Sequence, residues 1–167
     1  HKRKISVKIP AGVDNNSQIR LRGKGEAGTR GGSPGNLYIT LSVKEHEFFT
    51  RQGDDILYEL PINFAQAALG TEVEVPTLDS KTKLKIPAGS QTGQVFRLKS
   101  RGIAHLRGGG HGDLLVTLFV VTPDSLTGKQ RQLLRELGES LSPANMPNPK
   151  KWKGFSKAGS LKQSSAP

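Results

Sequence analysis

Apolar and polar residues alternate along several short stretches of this chain. Ile5, Val7 and Ile9 point one way and Ser6 and Lys8 the other, which is the two-residue period of a half-buried strand. Pro10-Ala11-Gly12 ends it, because proline cannot donate to a ladder and glycine frees the turn. Ile19 and Leu21, on either side of Arg20, predict a second short strand. Leu37, Ile39, Leu41 and Val43 alternate with Tyr38, Thr40 and Ser42 and predict a third. Gly23 to Gly35 lies between them with six glycines and a proline, a composition that predicts a loop.

After Phe48-Phe49, the run Arg51-Gln52-Gly53-Asp54-Asp55 predicts a turn, and Ile56 to Leu60 a strand. Asn63 is placed to cap a short helix over Phe64–Leu69 that Gly70 would stop. Val73 and Val75 form a strand closed at Pro76, and further strands fall at Leu84–Ile86, Phe96–Leu98 and Leu114–Val121. The last of these is apolar enough to be covered on both faces. Thr127-Gly128-Lys129-Gln130 has capping-box spacing. Leu133, Leu137 and Leu141 follow four apart with Leu134 beside them, so a leucine stripe runs along one helix.

One segment occurs twice without a gap. Ile9-Pro10-Ala11-Gly12 returns 77 positions on as Ile86-Pro87-Ala88-Gly89, Arg20-Leu21 as Arg97-Leu98, and Arg30-Gly31-Gly32 as Arg107-Gly108-Gly109. Gly35 and Leu37 match Gly112 and Leu114, and Thr40-Leu41 match Thr117-Leu118. A single offset held this long marks a tandem duplication of one small β unit. The fold expected is therefore mainly β: two similar, small, sandwich-like domains, with a short helix in the second and a C-terminal helix. The boundaries expected are 1–50 for a partial first domain, 51–124 for the second, 125–141 for the helix and 142–167 for a disordered basic tail.

Composition narrows the chemistry. There are no cysteines, so disulfides and thiolate metal sites are excluded, and the four histidines do not fall at metal-ligand spacing. No apolar run is long enough to span a membrane. The formal charge is +11, of which the five lysines after Ser142 carry +5 with no acidic residue among them. A basic excess fits a solvated surface with a basic tail, or binding to nucleic acid or an acidic partner. The Arg-Gly-Gly loops lead into strands rather than opening helices, so they lack the geometry that cradles phosphate. No exposed aromatics are interleaved with the basic residues as single-strand binding requires. No catalytic signature occurs, and Asp54-Asp55 reads as a turn former, so an enzyme is not expected.

The linked motifs Val7-Lys8-Ile9-Pro10-Ala11-Gly12-Val13, Gly23-Lys24-Gly25-Glu26-Ala27-Gly28 and Pro34-Gly35-Asn36-Leu37-Tyr38 continue with Gly53-Asp54-Asp55 and Pro61-Ile62-Asn63-Phe64. Ala67-Ala68-Leu69-Gly70 and Val75-Pro76-Thr77-Leu78 complete the set. In this order and spacing they resemble the C-terminal substrate-binding region of DnaJ-type J-domain co-chaperones, over residues of about 4 to 141. The resemblance points to a bacterial member of the zinc-bearing class. It implies two similar tandem β domains, in agreement with the duplication. It also implies a longer parent whose Cys-rich, zinc-binding insertion would end near His1, which would leave the first domain without its opening strands. No cofactor is expected in this chain itself.

The resemblance implies binding of unfolded polypeptide clients, which would add a strand to a sheet edge and place large apolar side chains in a groove of the first domain. Matching the motifs puts groove residues at Ile5 and Ile39, with Val7 and Leu41 as neighbours; the pattern alone favours ordinary core for all four. It further implies a cytoplasmic homodimer joined through Leu126, Leu133, Leu134, Leu137 and Leu141, and delivery of clients to a DnaK-type chaperone by the parent. No His-Pro-Asp motif occurs in this chain, so stimulation of that chaperone's ATPase is not expected of it. A basic nucleic-acid-binding β protein is the alternative reading.

Overall fold

A computed structural model of the chain describes residues 4–146. Its strands are β1 (Gln18–Leu21), β2 (Leu37–Thr40), β3 (Phe49–Gln52), β4 (Asp55–Asn63), β5 (Thr71–Pro76), β6 (Lys81–Ile86), β7 (Val95–Leu98) and β8 (Leu114–Val121). Two α-helices, α1 (Phe64–Leu69) and α2 (Gly128–Ser140), follow β4 and β8. The chain is thus mainly β, as the alternation predicts. The strands pair as β1-β2, as a four-stranded sheet β3-β4-β8-β7, and as β5-β6. Two compact units divide it. One gathers the residues up to Tyr58 with Arg97–Leu115; the other gathers Glu59–Phe96 with the residues from Val116 onward.

The duplication is visible in the backbone. β1 and β7 begin and end at equivalent positions, and β2 begins at the position equivalent to the start of β8. Asn16 N–H donates to Leu41 O at 2.9 Å, and Gly93 N–H to Leu118 O at 2.7 Å. Gly25 N–H donates to Gly35 O at 2.9 Å, and Gly102 N–H to Gly112 O at 2.8 Å. Val43 N–H finds the Asn15 side-chain oxygen at 2.6 Å, and Val120 N–H finds the Thr92 hydroxyl at 2.6 Å. In this last pair, two side chains of different chemistry satisfy the same backbone donor.

One expected strand is absent. Residues 4–10, including Ile5, Val7 and Ile9, form no strand. Alternation prepares a strand, but a ladder needs a second one. The equivalent stretch, β6, has that partner in β5, from Thr71↔Ile86 to Pro76↔Lys81. Among the described residues no strand lies beside residues 4–9 as β5 lies beside β6.

Both helices begin as their local sequence dictates. Asn63 Oδ1 accepts from Gln66 N–H at 2.8 Å while Gln66 Oε1 accepts from Asn63 N–H at 3.1 Å. Thr127 and Gln130 repeat the exchange at 3.2 and 2.8 Å. These reciprocal caps satisfy donors that a helix start leaves open. Beyond α2, Pro143–Asn145 forms a 3-10 turn in which Ser142 N–H donates to Asn145 Oδ1 at 2.9 Å. The rest of the expected basic tail, 147–167, lies outside the described residues.

The second unit buries Leu60, Ile62, Ala67, Val75, Leu84, Ile86, Val116 and Leu118. Each large aliphatic chain sealed in this way contributes about 1.5–3 kcal/mol. The first unit buries Phe49, Ile56 and Leu114. β8 seals one face only: Leu114, Val116 and Leu118 are buried, whereas Phe119 and Val121 on the other side are exposed, so the expectation of cover on both faces does not hold along its length.

Candidate functional site

In the first copy, register places Ile19 opposite Ile39 and Leu21 opposite Leu37. These four, with Leu41 just past β2, are all half-buried, and the alternate residues Gln18, Arg20, Tyr38 and Thr40 are exposed. On the equivalent face of the second copy, Leu37, Ile39 and Leu41 correspond to Leu114, Val116 and Leu118, each 0% exposed, while Phe96 and Leu98, the counterparts of Ile19 and Leu21, are half-buried like them. Ile9 is 57% exposed, whereas its equivalent Ile86 is 1% exposed. Val7 is half-buried where Leu84 is buried, and Ile5 is exposed. At these positions one apolar pattern thus has two fates, sealed in the second copy and accessible in the first. Of the residues singled out from sequence, Ile39 and Leu41 belong to the β1–β2 face, and Ile5 and Val7 lie in the unpaired stretch before it.

A second apolar surface lies within the second unit. Phe64, Ala65, Leu126, Leu133, Leu134 and Leu137 line an open groove of about 370 Å³ beside α2. Leu133 and Leu137 are exposed, and Leu126 and Leu134 are half-buried. Leu141, the fifth leucine singled out, is exposed and does not line the groove.

Sequence reasoning missed a polar cluster in the first unit. His105 Nδ1 lies 2.7 Å from Asp54 Oδ2, although 51 positions separate the two residues. Arg51 lies 3.6 Å from Asp54, and its guanidinium donates to Val13 O at 2.7 Å, Gly12 O at 3.2 Å and Gly53 O at 2.7 Å. Asp55 accepts from Asp113 N–H at 2.7 Å. The Asp-Asp turn therefore ties the Pro10–Val13 turn and the 103–113 loop together.

Asp113 also accepts from Ser100 N–H at 2.9 Å and pairs with Arg97 at 2.8 Å. The Ser100 N–H holds its carboxyl below the usual range; desolvation opposes this, and the Arg97 hydrogen bond and charge add to the lowering. Each Arg-Gly-Gly loop runs into a strand, the first through a 3-10 turn at Thr29–Gly31. Among the described residues no group of three or more His, Asp or Glu is arranged to hold a metal, and no helix is long and apolar enough to cross a membrane.

The chain is 59% identical over 138 residues to the chaperone protein DnaJ of a Geobacillus species, which covers 83% of this chain and 36% of that protein. It is 56% identical over 138 residues to the DnaJ of Brevibacillus choshinensis, covering 83% of this chain and 37% of that protein. It is 53% identical over 156 residues to the DnaJ of Bacillus licheniformis, covering 93% of this chain and 41% of that protein. The chain thus spans little more than a third of the length of the curated relatives it matches. The family model that matches residues 1–123 is that of the DnaJ C-terminal domain, and the chain belongs to that family.

Proposed function

We propose that the chain is a non-enzymatic chaperone module that holds exposed apolar segments of unfolded polypeptides on the β1–β2 face of its first copy. The observation that carries this reading is the contrast between the two copies: Ile39 and Leu41 stay accessible where Val116 and Leu118 are sealed. A client would lay an extended segment along this copy, exchange backbone hydrogen bonds with the unpaired stretch around Ile5 and Val7, and set large side chains against Ile39 and Leu41. Names of the relatives support a chaperone role. In a longer protein the module would pass its client to a DnaK-type chaperone in the cytoplasm, and any zinc would be held outside this chain.

The α2 groove supports a homodimer through Leu126, Leu133, Leu134 and Leu137, with Leu141 extending the contact. Two client faces on one dimer raise the effective concentration for a long unfolded chain. The test is binding of a labelled apolar peptide, followed by anisotropy at increasing salt. Affinity that holds from low to high salt supports the groove. Affinity that falls steeply marks an electrostatic, nucleic-acid-like mode and overturns the reading.

A further inference from the structure

The two copies differ at one polar position in a way that changes charge. In the second, Arg97 is neutralised by Asp113 at 2.8 Å, and the same carboxylate accepts from Ser100 N–H at 2.9 Å. The first copy keeps the rest of this receptor. Arg20 stands for Arg97, and Gly23 at φ 64° stands for Ser100 at φ 56°. Asn36 takes the place of Asp113. With its amide oxygen turned toward Arg20, it accepts from the guanidinium at 2.9 Å. The hydrogen bond is kept and the negative charge is lost.

The consequence is an exposed cation without a counter-charge. Arg20 and Arg22 are exposed, and neither has an ion-pair partner among the described residues. Tyr38, directly across from Arg20 in the register, is 57% exposed on the same side of the sheet. From Asn15 to Lys44 the only acidic residue is Glu26, against Arg20, Arg22, Lys24, Arg30 and Lys44.

We infer that the outer face of β1–β2, centred on Arg20 with Arg22 and Tyr38, docks an acidic segment of another polypeptide. A carboxylate of that segment supplies the charge that Asp113 supplies in the second copy. Charge complementarity selects the occupant. The second copy shows how a side-chain carboxylate sits against this arginine, and planar carboxylate matches a guanidinium fork. A nucleic acid fits less well, because Tyr38 alone offers no succession of stacking platforms. The surface lies on the side of the sheet opposite Ile39, so it is separate from the apolar face assigned to clients and does not depend on that assignment.

The test measures anisotropy of a labelled octaglutamate peptide at low salt, with the full chain and three variants. Asn36→Asp installs the internal carboxylate; Arg20→Gln removes the cation and leaves Asn36 in place. Gln91→Glu makes the same charge change on an exposed position of the second copy. Asn36→Asp and Arg20→Gln should each weaken binding about fivefold, the scale of one well-formed surface ion pair, and Gln91→Glu less than twofold. Asp113→Asn, which copies the first arrangement into the second, should add a second site. Equal weakening by Asn36→Asp and Gln91→Glu would reduce the effect to net charge and sink the proposal. So would an oligothymidylate of matched charge that binds more tightly than the peptide and responds equally to Asn36→Asp. Should Asn36→Asp fold poorly by circular dichroism, Arg20→Gln decides alone: unchanged affinity there overturns the inference.

Discussion

Leu41 and Leu118 make the same hydrogen bond from the same place in a duplicated unit. Each N–H donates at 2.9 Å, to Ser17 O and Gln94 O respectively. Leu118 is fully sealed and Leu41 is half-buried. Identical side chains on equivalent backbone make the difference in cover the only large variable, so the pair measures what the accessible face contributes to stability.

Leu118→Ala should therefore cost about 2–5 kcal/mol, as deletion of a closed-core leucine does. Leu41→Ala should cost clearly less, because water already reaches part of the side chain. Denaturant melts of both variants check this. Equal losses would mean that Leu41 is as much core as Leu118.

The two Pro-Ala-Gly turns form a second matched pair. Gly12 at φ 84° and Gly89 at φ 77° share the left-handed conformation. A Cβ on Gly12 would run into Ala104 O, whereas one on Gly89 would meet open space. Gly89→Ala should cost about 1–2 kcal/mol for conformation alone. Gly12→Ala should cost more, because the 104–106 backbone must also move. Thermal melts that rank the two the other way would contradict the close approach of the Pro10 turn to this loop.

Features specified within a few residues are legible in the sequence. Asn63 with Gln66 and Thr127 with Gln130 each satisfy donors one turn away, so both helix starts can be read directly. The repeat can also be read, since Gly12 and Gly89, or Arg20 and Arg97, recur at one spacing. What depends on distant partners cannot. Lys4–Ile9 and Lys81–Ile86 carry the same alternation, yet only the second pairs, because only it has β5 beside it. The contact of Asp54 with His105 joins residues whose sequence neighbourhoods share no signal. Ile39 and Val116 look alike in pattern, and cover rather than periodicity distinguishes a candidate site from a core.

Asp113 should leave a mark on acid stability. Its carboxyl titrates below the usual range in the folded chain, chiefly through the Ser100 N–H and then Arg97. A depressed folded value stabilises the fold above the unfolded value of about 4, and that contribution is lost as pH falls through the folded value. Asp113→Asn lacks this dependence. The difference in melting temperature between parent and variant should therefore be constant near neutral pH and shrink below about pH 4. A difference that stays constant down to pH 2 would show that the Asp113 carboxylate contributes nothing to the acid dependence.

Replacing Leu133 and Leu137 by Asp places charge on the lining of the α2 groove, and a carboxylate is costly to bury without a partner. If the groove joins two chains, the double variant should sediment as a folded monomer where the parent sediments as a dimer. Both residues are exposed in the single chain, so the fold itself should survive. A parent that is already monomeric at high concentration would remove the dimer.

The client face has its own discriminating test in Ile39→Ala and Val116→Ala. Ile39 is half-buried opposite Ile19, and Val116 is sealed at the equivalent position. Truncating Val116 should lower stability and leave client binding per folded molecule unchanged. Truncating Ile39 should cost less than the roughly 2–5 kcal/mol of a closed-core isoleucine yet markedly weaken suppression of aggregation of a denatured client. Each readout guards the other: lost binding with an intact melt identifies a contact surface, while a lowered melt with intact binding identifies core. The measurement should be made on this chain and on a longer protein that supplies a strand beside residues 4–9, because backbone pairing along that stretch is part of the proposed grip. Ile39→Ala that melts as far below its parent as a closed-core truncation, while the folded fraction still holds client, would return Ile39 to the core and move the client site elsewhere.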